Sequence, residues 1–397
     1  MSDPFNFPQQ DLLRHAHLIS DAVDRLCRSG QLILGEGVRQ FEVAFATWLG
    51  AGTQPRQVIG VANGTDALEL ALRAAGVGPG DRVLLPSHTA YATAAAILRL
   101  EACPVFVDLE PGRPVLSATH LDQLLSGSET SPGQGPFRAA IAVHLYGEAC
   151  DLVPLLAVCE RHGIALIEDC AQACGTLYRQ RAVGTWGHFA AFSFYPTKNL
   201  AACGDGGALV VNRPDRIEAA RRSRFYGWDD DRRAVQFGVN SRLDELQAWV
   251  LLGKLASLGE QIEQRRQVAD WYAGQLGACL LRLPGDGADW RHSYHLYVVR
   301  LDPSERERVL VEGKRRGLPL ALHYALGCHQ TPYLIERFGP QPPLPETERR
   351  LAEILTLPLH PYLDLASVCS VAEPLRDLLA EAGAAPWAAP VSSQQVA

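Results

Sequence analysis

A single lysine, Lys198, is the first residue of this sequence whose surroundings suit covalent chemistry. It follows the apolar residues 192–195 and Pro196, which ends the strand that they predict. A lysine amine attacks a carbonyl only when it is neutral, and partial burial beside other cations lowers its pKa toward that state. The alternative is a solvated loop lysine, which is the usual situation of this side chain.

Two adjacent acids, Glu168 and Asp169, end an earlier apolar stretch. Ligands of open α/β sheets bind outside the carboxyl ends of the strands, and a carboxylate placed there can pair with a positively charged heterocycle nitrogen. Gln172, which follows, can hydrogen-bond a ligand. The alternative is that Asp169 caps a helix and Gln172 completes a capping box.

The stretch Asn63-Gly-Thr-Asp-Ala67 follows an apolar strand pattern and opens a helical one. Gly64 and Thr65 would present backbone N–H groups and the positive end of a helix dipole, which suits a phosphate. A simple helix cap by Thr65 or Asp66 is the alternative. The chain carries neither a P-loop nor a Gly-x-Gly-x-x-Gly fingerprint, which argues against a nucleotide oxidoreductase built on Tyr195 and Lys198.

These parts together describe one kind of site. A phosphate cradle, an acid for a ring nitrogen and a lysine for an aldehyde are the components that pyridoxal 5'-phosphate (PLP) requires. Ser193, on the same strand as the lysine stretch, offers a further hydroxyl. The sequence therefore predicts a PLP site.

The elements that position these residues alternate between short strands and helices. Strands are predicted at 58–61, 82–86, 104–108, 139–145, 165–168, 190–194 and 208–211. This alternation predicts an α/β domain with a mostly parallel central sheet covered on both faces. A long helix is predicted over 242–275, then a strand at 295–301, a helix at 305–316 and a strand at 318–323.

We expect a large domain over residues 1–250, including an N-terminal segment, and a smaller α+β domain over 251–383. The last residues, 384–397, are rich in Ala, Pro, Ser and Gln, and their composition predicts a disordered tail.

Net charge, hydropathy and cysteine spacing argue against several other classes of protein. The 397 residues carry a net charge of -7, which gives no reason to expect nucleic acid or an anionic membrane as partner. No apolar run reaches membrane-spanning length, and the N-terminus lacks the pattern of a secretory signal. The 10 cysteines include no Cys-x-x-Cys pair, so we expect reduced thiols in a cytoplasmic protein and no metal site.

The wording of the motifs resembles the DegT/DnrJ/EryC1/StrS family of PLP-dependent sugar aminotransferases, which have the three-layer fold type I. The matching stretches include Asn63-Gly-Thr-Asp-Ala-Leu68, His144-Leu-Tyr-Gly147, Ile167-Glu-Asp169, Phe192-Ser-Phe-Tyr-Pro-Thr-Lys-Asn-Leu200 and Asn240-Ser-Arg-Leu-Asp-Glu245. The resemblance covers residues 32–357. It implies transfer of an amino group from L-glutamate or L-glutamine to a nucleotide-linked ketosugar.

The resemblance also implies catalytic and cofactor roles for individual residues. Lys198 would bond to the cofactor aldehyde and later move the substrate proton. Asp169 would pair with the pyridinium nitrogen, and Gln172 would approach the 3'-oxygen.

Four further residues would hold the phosphate, as the resemblance implies. Gly64, Thr65 and Ser193 would bind it within one chain. Asn240 would reach the phosphate of the neighbouring subunit, so a homodimer with shared active sites is expected.

Some positions depart from the family pattern. An aromatic residue commonly stacks on the cofactor ring, but Ala90 stands at that place. We expect His88 to take over the stacking; the alternatives are Tyr91 or a ring face that is left less covered. The family's prolines are missing around residues 323–330, where His329 and Tyr324 are the expected substrate-side residues.

Two alternatives remain open at this point. The first is amination or dehydration of a carbocyclic ketone such as an inosose, although Lys198 argues against dehydration. The second is a regulatory protein that binds PLP without catalysis.

Overall fold

The structure is a computed structural model, and it describes residues 5–127, 135–277, 281–282 and 285–381. The predicted tail at 384–397 lies outside the described residues. Within the described residues, no helix combines the length and the apolar character that a membrane crossing requires.

A seven-stranded sheet forms the centre of the molecule, and its strand order is β1-β9-β8-β5-β4-β2-β3. Strand β9 pairs antiparallel with both neighbours, whereas the remaining neighbouring strands are parallel. The bounds are β1 Val58–Val61, β2 Arg82–Pro86, β3 Cys103–Val107, β4 Phe137–Val143, β5 Ala165–Asp169, β8 Phe189–Ser193 and β9 Gly207–Val211. The sequence prediction of a mostly parallel sheet is confirmed.

Helices cover both faces of this sheet because its strands are apolar on both sides. One face packs against α3 (Glu36–Leu49), α6 (Ala118–Ser126), α7 (Leu152–Arg161) and α9 (Glu245–Leu255). The other face packs against α4 (Gly64–Ala74), α5 (Tyr91–Leu98) and α8 (Ile217–Ser223). Successive side chains of β5 point to opposite faces of the sheet. Leu166 packs into the core on the first face, and Ile167 packs into the core on the second.

A third apolar core lies in the C-terminal part of the chain. The strands β10 (Leu281–Arg282), β12 (Tyr297–Arg300) and β13 (Ile354–Leu357) form a three-stranded sheet. Side chains from helices α10 (Leu258–Leu276), α11 (Pro303–Arg315) and α14 (Leu365–Glu381) complete its core. The division into two domains remains a proposal, and the predicted boundary after residue 250 falls inside α9.

The remaining elements are shorter or peripheral. They are the helices α1 (Phe7–Arg14), α2 (Ala16–Ser29), α12 (Pro332–Phe338) and α13 (Pro345–Glu353), and a small sheet of β6 (Leu177–Tyr178), β7 (Arg181–Ala182) and β11 (Trp290–Arg291).

Two sequence predictions for this part of the chain are wrong. The predicted helix 242–275 is two helices, because Ala256 and Ser257 separate α9 from α10. The predicted strand 318–323 is a loop whose backbone pairs with the edge strand β13 at a single bridge between Ala321 and Thr356. Pro319 within it lacks the N–H that a strand ladder needs.

Candidate active site

Asp169 and Lys198 meet at the carboxyl edge of the central sheet. Strand β5 ends at Asp169, and its parallel neighbour β8 ends at Ser193 just before the lysine loop. Both side chains line a cavity of about 260 Å³. It is also lined by Asn63, Gly64, Thr65, Leu68, Thr89, Ala90, Ala92, Thr93, Val143, Ala171, Gln172, Ser193, Tyr195 and Asp205. We call this the cofactor cavity.

The two adjacent acids have different surroundings. Successive side chains of a strand point to opposite faces, and only Asp169 lines the cofactor cavity. The fully buried carboxylate of Glu168 accepts N–H groups from Gly184, Trp186 and Gly187 at 2.7–2.8 Å. It also contacts His144 Nε2 at 3.1 Å. Glu168 therefore holds the loop after β7 in place.

His144, Glu168 and Cys170 lie close enough together to resemble a metal site. However, His144 Nδ1 accepts the Cys150 N–H at 3.0 Å, and its other ring nitrogen faces Glu168. These contacts with Cys150 and Glu168 explain the position of the His144 ring without a metal.

Asp169 is held in place by two hydrogen bonds. Its Oδ1 accepts the Ala171 N–H at 3.1 Å, and its Oδ2 accepts the Thr93 hydroxyl at 2.9 Å. Thr89 Oγ1 lies 3.0 Å from Thr93 Oγ1 and extends this chain of hydroxyls. Burial raises the pKa of the Asp169 carboxyl, and both hydrogen bonds and the charge of Lys198 act against that rise.

The Lys198 amine has an unusual protonation equilibrium. Burial lowers its pKa to about 8, and the negative charge of Asp169 opposes part of the shift. A substantial fraction of this amine is therefore neutral near physiological pH, as nucleophilic attack on a carbonyl requires.

The start of helix α4 forms another part of the wall of the cofactor cavity. The Asn63 side chain caps this helix by accepting the Asp66 N–H at 2.8 Å. Gly64 lies against strand β8 so closely that a Cβ on it would come within 2.7 Å of Ser193 Cβ. The first N–H groups of an α-helix have no partners in the preceding turn. Together with the hydroxyls of Thr65 and Ser193, they form a cradle that fits a phosphate.

Gln172 is buried in the wall of the cofactor cavity, with its amide fixed at both ends. Its Oε1 accepts the Tyr146 N–H at 2.8 Å, and its Nε2 donates to the Tyr324 hydroxyl at 2.9 Å. Tyr324 directly follows the segment 318–323 that was predicted to be a strand. The structure thus brings Tyr324 next to a predicted cofactor residue.

A second cavity, of about 550 Å³, adjoins the first and shares Lys198, Gln172 and Tyr195 with it. Its other walls come from the N-terminal segment 5–8, from residues 319–324 and from residues 356–360. His295, His323 and His360 line it, and none of its lining residues in the described chain is an acid. We call it the substrate cavity.

His88 and Tyr91, the expected stacking residues, do not line the cofactor cavity. The His88 ring is fully buried and hydrogen-bonds to other protein groups, and Tyr91 is 43% exposed. Ala90 does line the cavity, and Tyr195 is the one aromatic residue among its described lining residues. The placement of His88 argues against its predicted role in stacking.

Asn240 and His329 also lie outside both cavities. Asn240 is exposed, whereas the next residue, Ser241, donates to Asp66 Oδ2 at 2.6 Å beside the start of α4. His329 is buried, with Nδ1 against Ser87 Oγ and Nε2 at 3.5 Å from Glu348 Oε1. The predicted roles of both residues remain predictions.

Sequence reasoning missed Thr93 and Tyr195 as cavity residues. Tyr195 stands within the lysine stretch but was considered only for an oxidoreductase. Thr89 and Thr93 are spaced four residues apart around the start of α5, so they share one side of that turn. This spacing was the available signal for Thr93.

Comparisons with known proteins identify the class to which this fold and site belong. The model of the DegT/DnrJ/EryC1/StrS aminotransferase family matches residues 14–376. The chain belongs to this family.

Individual relatives match over nearly their whole lengths. A dTDP-3-amino-3,4,6-trideoxy-alpha-D-glucose transaminase from Streptomyces venezuelae is 36% identical over 357 residues, which are 90% of each protein. A pleiotropic regulatory protein from Geobacillus stearothermophilus is 34% identical over 365 residues, covering 90% of this chain and 94% of the relative. The crystal structure of S. venezuelae DesV with a ketimine intermediate has a TM-score of 0.85 at 34% identity, covering 94% of this chain and 97% of DesV.

These findings confirm the predicted family, the fold type I architecture and the enzyme class. The protein is a PLP-dependent aminotransferase. Its own residues fit the cofactor, since one cavity is lined by a helix N-terminus, an acid and a lysine of lowered pKa.

Proposed function

We propose that this aminotransferase moves an amino group from L-glutamate, or L-glutamine, to the ketone of a nucleotide-linked sugar. The product is an amino-deoxy sugar for polysaccharide biosynthesis in the cytoplasm. The observation that carries the proposal is the shared cavity of Lys198 and Asp169, which opens into the substrate cavity. The relative from S. venezuelae, a dTDP-amino-sugar transaminase, indicates the class of acceptor.

PLP, when bound, supplies an aldehyde and an electron sink, and the protein's residues control protons and positions around it. Lys198 is the base that takes the proton from the donor carbon and returns it, because its lowered pKa suits both directions near neutral pH. Asp169 would hold a cationic ring nitrogen of the cofactor, and Thr93 and Ala171 fix that carboxylate.

The substrate cavity supports an anionic donor. Its described lining contains Lys198 and three histidines but no acid, so a carboxylate entering it meets N–H and hydroxyl donors without a like charge. Burial lowers the pKa of His323 and His295, so both imidazoles are neutral hydrogen-bonding groups near pH 7.

We further propose that the active unit is a homodimer. Tyr195 lines both cavities yet is 52% exposed, and Asn240 is exposed beside the start of α4. Ser241 is buried and anchored to Asp66, so it fixes Asn240 at the surface of the chain. A second copy that covers this surface would exclude water and receive Asn240 at its own phosphate cradle.

A regulatory role is the second candidate, because one relative is described as a pleiotropic regulatory protein. The complete set of Lys198, Asp169 and Gln172 in one site favours catalysis, since a pure binder has no need of a lysine with a pKa of about 8.

Product analysis by mass spectrometry tests the proposal. The purified protein with PLP is incubated with L-glutamate or L-glutamine and with dTDP- or UDP-linked ketohexoses, carrying the ketone at C3 or C4, or with inososes. An amino product from a nucleotide sugar supports the proposal, and products from inososes alone would redirect it to carbocyclic ketones.

Lysine variants supply the matched control for this assay. Lys198→Ala should keep the fold and lose turnover, whereas Lys314→Ala, an exposed lysine of α11, should match the wild type. Wild-type protein whose cofactor absorbance does not respond to either donor would favour the regulatory alternative.

A further inference from the structure

His88 contacts the backbone of the loop that carries Tyr324. His88 Nε2 lies 2.9 Å from the Tyr146 hydroxyl, 3.2 Å from the His323 carbonyl and 3.3 Å from the Tyr324 backbone nitrogen. The Tyr146 hydroxyl itself donates to the His323 carbonyl. One imidazole nitrogen thus lies against the backbone on both sides of the bond between His323 and Tyr324.

Tyr324 connects His88 to Gln172, which lines the cofactor cavity. Its hydroxyl accepts from Gln172 Nε2 at 2.9 Å, and Gln172 Oε1 accepts the backbone N–H of Tyr146 at 2.8 Å. The contacts form a closed circuit through His88, Tyr324, Gln172 and Tyr146. Tyr324, Gln172 and Tyr146 are each held at two separate atoms, and His88 contacts two of them through Nε2. A displacement at His88 would therefore shift the Gln172 amide at the edge of the cofactor cavity.

We propose that His88 is a positioning residue that fixes Tyr324 and, through it, Gln172 at the cofactor. The proposal rests on the proposed function only for the identity of the substrates, because cofactor binding itself reports on Gln172. It replaces the stacking role that the sequence suggested for His88.

The chemistry of the ring supports a polar function rather than simple filling of space. Burial lowers the pKa of His88 to about 4, so the ring is neutral and brings no charge into the core. Its Nδ1 has no hydrogen-bond partner within the described part of the chain. All described hydrogen bonding of the ring therefore goes through Nε2, the atom that faces the Tyr324 backbone.

This geometry predicts that substitutions of His88 differ according to how far their polar atoms extend from the backbone. The amide end of glutamine extends about as far as Nε2 of histidine, whereas asparagine reaches only as far as Nδ1. Leucine fills the space without any polar atom. His88→Gln should therefore restore the function that His88→Asn and His88→Leu lose.

The experiment uses the full-length PLP-loaded enzyme and two readouts. The first is the rate at which bound PLP leaves the protein, followed by its fluorescence. The second is the pair kcat and KM for an amino donor, followed by the cofactor absorbance change.

We expect H88N and H88L to release PLP about tenfold faster and to lower kcat/KM by roughly tenfold to a hundredfold, because small displacements in a site are costly. H88Q should stay within about threefold of the wild type. His162→Asn, at the C-terminal end of α7 against Asp122, is the matched histidine control and should change neither readout.

Tyr324→Phe provides the decisive second variant, since it removes only the hydroxyl that contacts Gln172. In the Y324F background, H88N should have little further effect on either readout if both residues act along one path. Wild-type behaviour of H88L, equal loss in H88Q and H88N, or additive losses in the double variant would each overturn the proposal. An inactive wild type with unchanged donor absorbance would refute the proposed function, while PLP release still tests His88.

Discussion

The lowered pKa of Lys198 makes a quantitative prediction about cofactor incorporation. With a pKa of about 8, roughly one amine in ten is neutral at pH 7, whereas a lysine at the ordinary 10.5 is neutral in roughly one of three thousand molecules. Because only the neutral amine attacks an aldehyde, Lys198 should react roughly three hundred times faster at pH 7 than an equally nucleophilic ordinary lysine would in the same site.

The pH dependence checks this directly. Protein freed of cofactor is mixed with PLP between pH 6 and 10, and incorporation is followed by absorbance. The rate should rise about tenfold per pH unit below pH 8 and become constant above it. Nα-acetyl-lysine in the same buffers corrects for the titration of PLP itself, because any change in the aldehyde affects both amines alike.

Asp169→Asn supplies the perturbation that separates the two causes of the shift. Burial lowers the pKa of Lys198, and the Asp169 charge raises it, so removing that charge should move the midpoint to still lower pH. A rate that keeps rising to pH 10, as for the free amine, would refute the reasoning, as would a midpoint that rises in D169N.

Two further predictions concern the acids of strand β5. Thr93→Val should weaken PLP binding roughly thirtyfold, because a hydrogen bond to a charged group contributes about 2 kcal/mol. The loss of PLP affinity should grow as pH falls, since the Asp169 pKa rises further without the Thr93 hydroxyl. Thr93→Ser keeps this hydroxyl and should bind PLP normally in equilibrium titrations. An equal loss of affinity in both variants would contradict the role of the hydroxyl. Glu168→Gln should lower the free energy of unfolding in urea by about 3 kcal/mol, because its amide group would face N–H donors, whereas exposed Glu260→Gln should change it little. An unchanged midpoint for E168Q would contradict this account.

The central sheet was predictable because its strands are short apolar runs separated by helical patterns. The end of β5 also fixed which residues could meet, since the carboxyl ends of parallel neighbours share one edge. The sequence alone did not show which of the adjacent acids, Glu168 or Asp169, lines the cavity. The choice follows from the alternation of side chains along a strand, which places Asp169 in the cavity and Glu168 against the loop after β7.

The surroundings of His88 could not be predicted in the same way. Its partners His323 and Tyr324 stand 235 and 236 positions away along the chain, and no local pattern links such distant segments. The family's stacking position is occupied by Ala90, two residues further on, and this suggested a stacking role for His88. Burial of the ring and its three contacts at Nε2 instead place it in the interior. The segment 318–323 just before Tyr324 was wrongly predicted to be a strand, since its alternating apolar residues resemble one while Pro319 interrupts any ladder.

The two cavities have a consequence for the order of the proposed reaction. Lys198, Gln172 and Tyr195 line both of them, so any substrate that reaches the lysine meets the same three side chains. A single lysine amine serves both the donor and the acceptor, and the two cannot occupy its surroundings together. The first product must therefore leave before the second substrate enters, and excess donor should compete with the ketosugar. Tyr324 lines the substrate cavity and also contacts Gln172 in the wall of the cofactor cavity, so a change at this residue should affect acceptor binding and cofactor binding together.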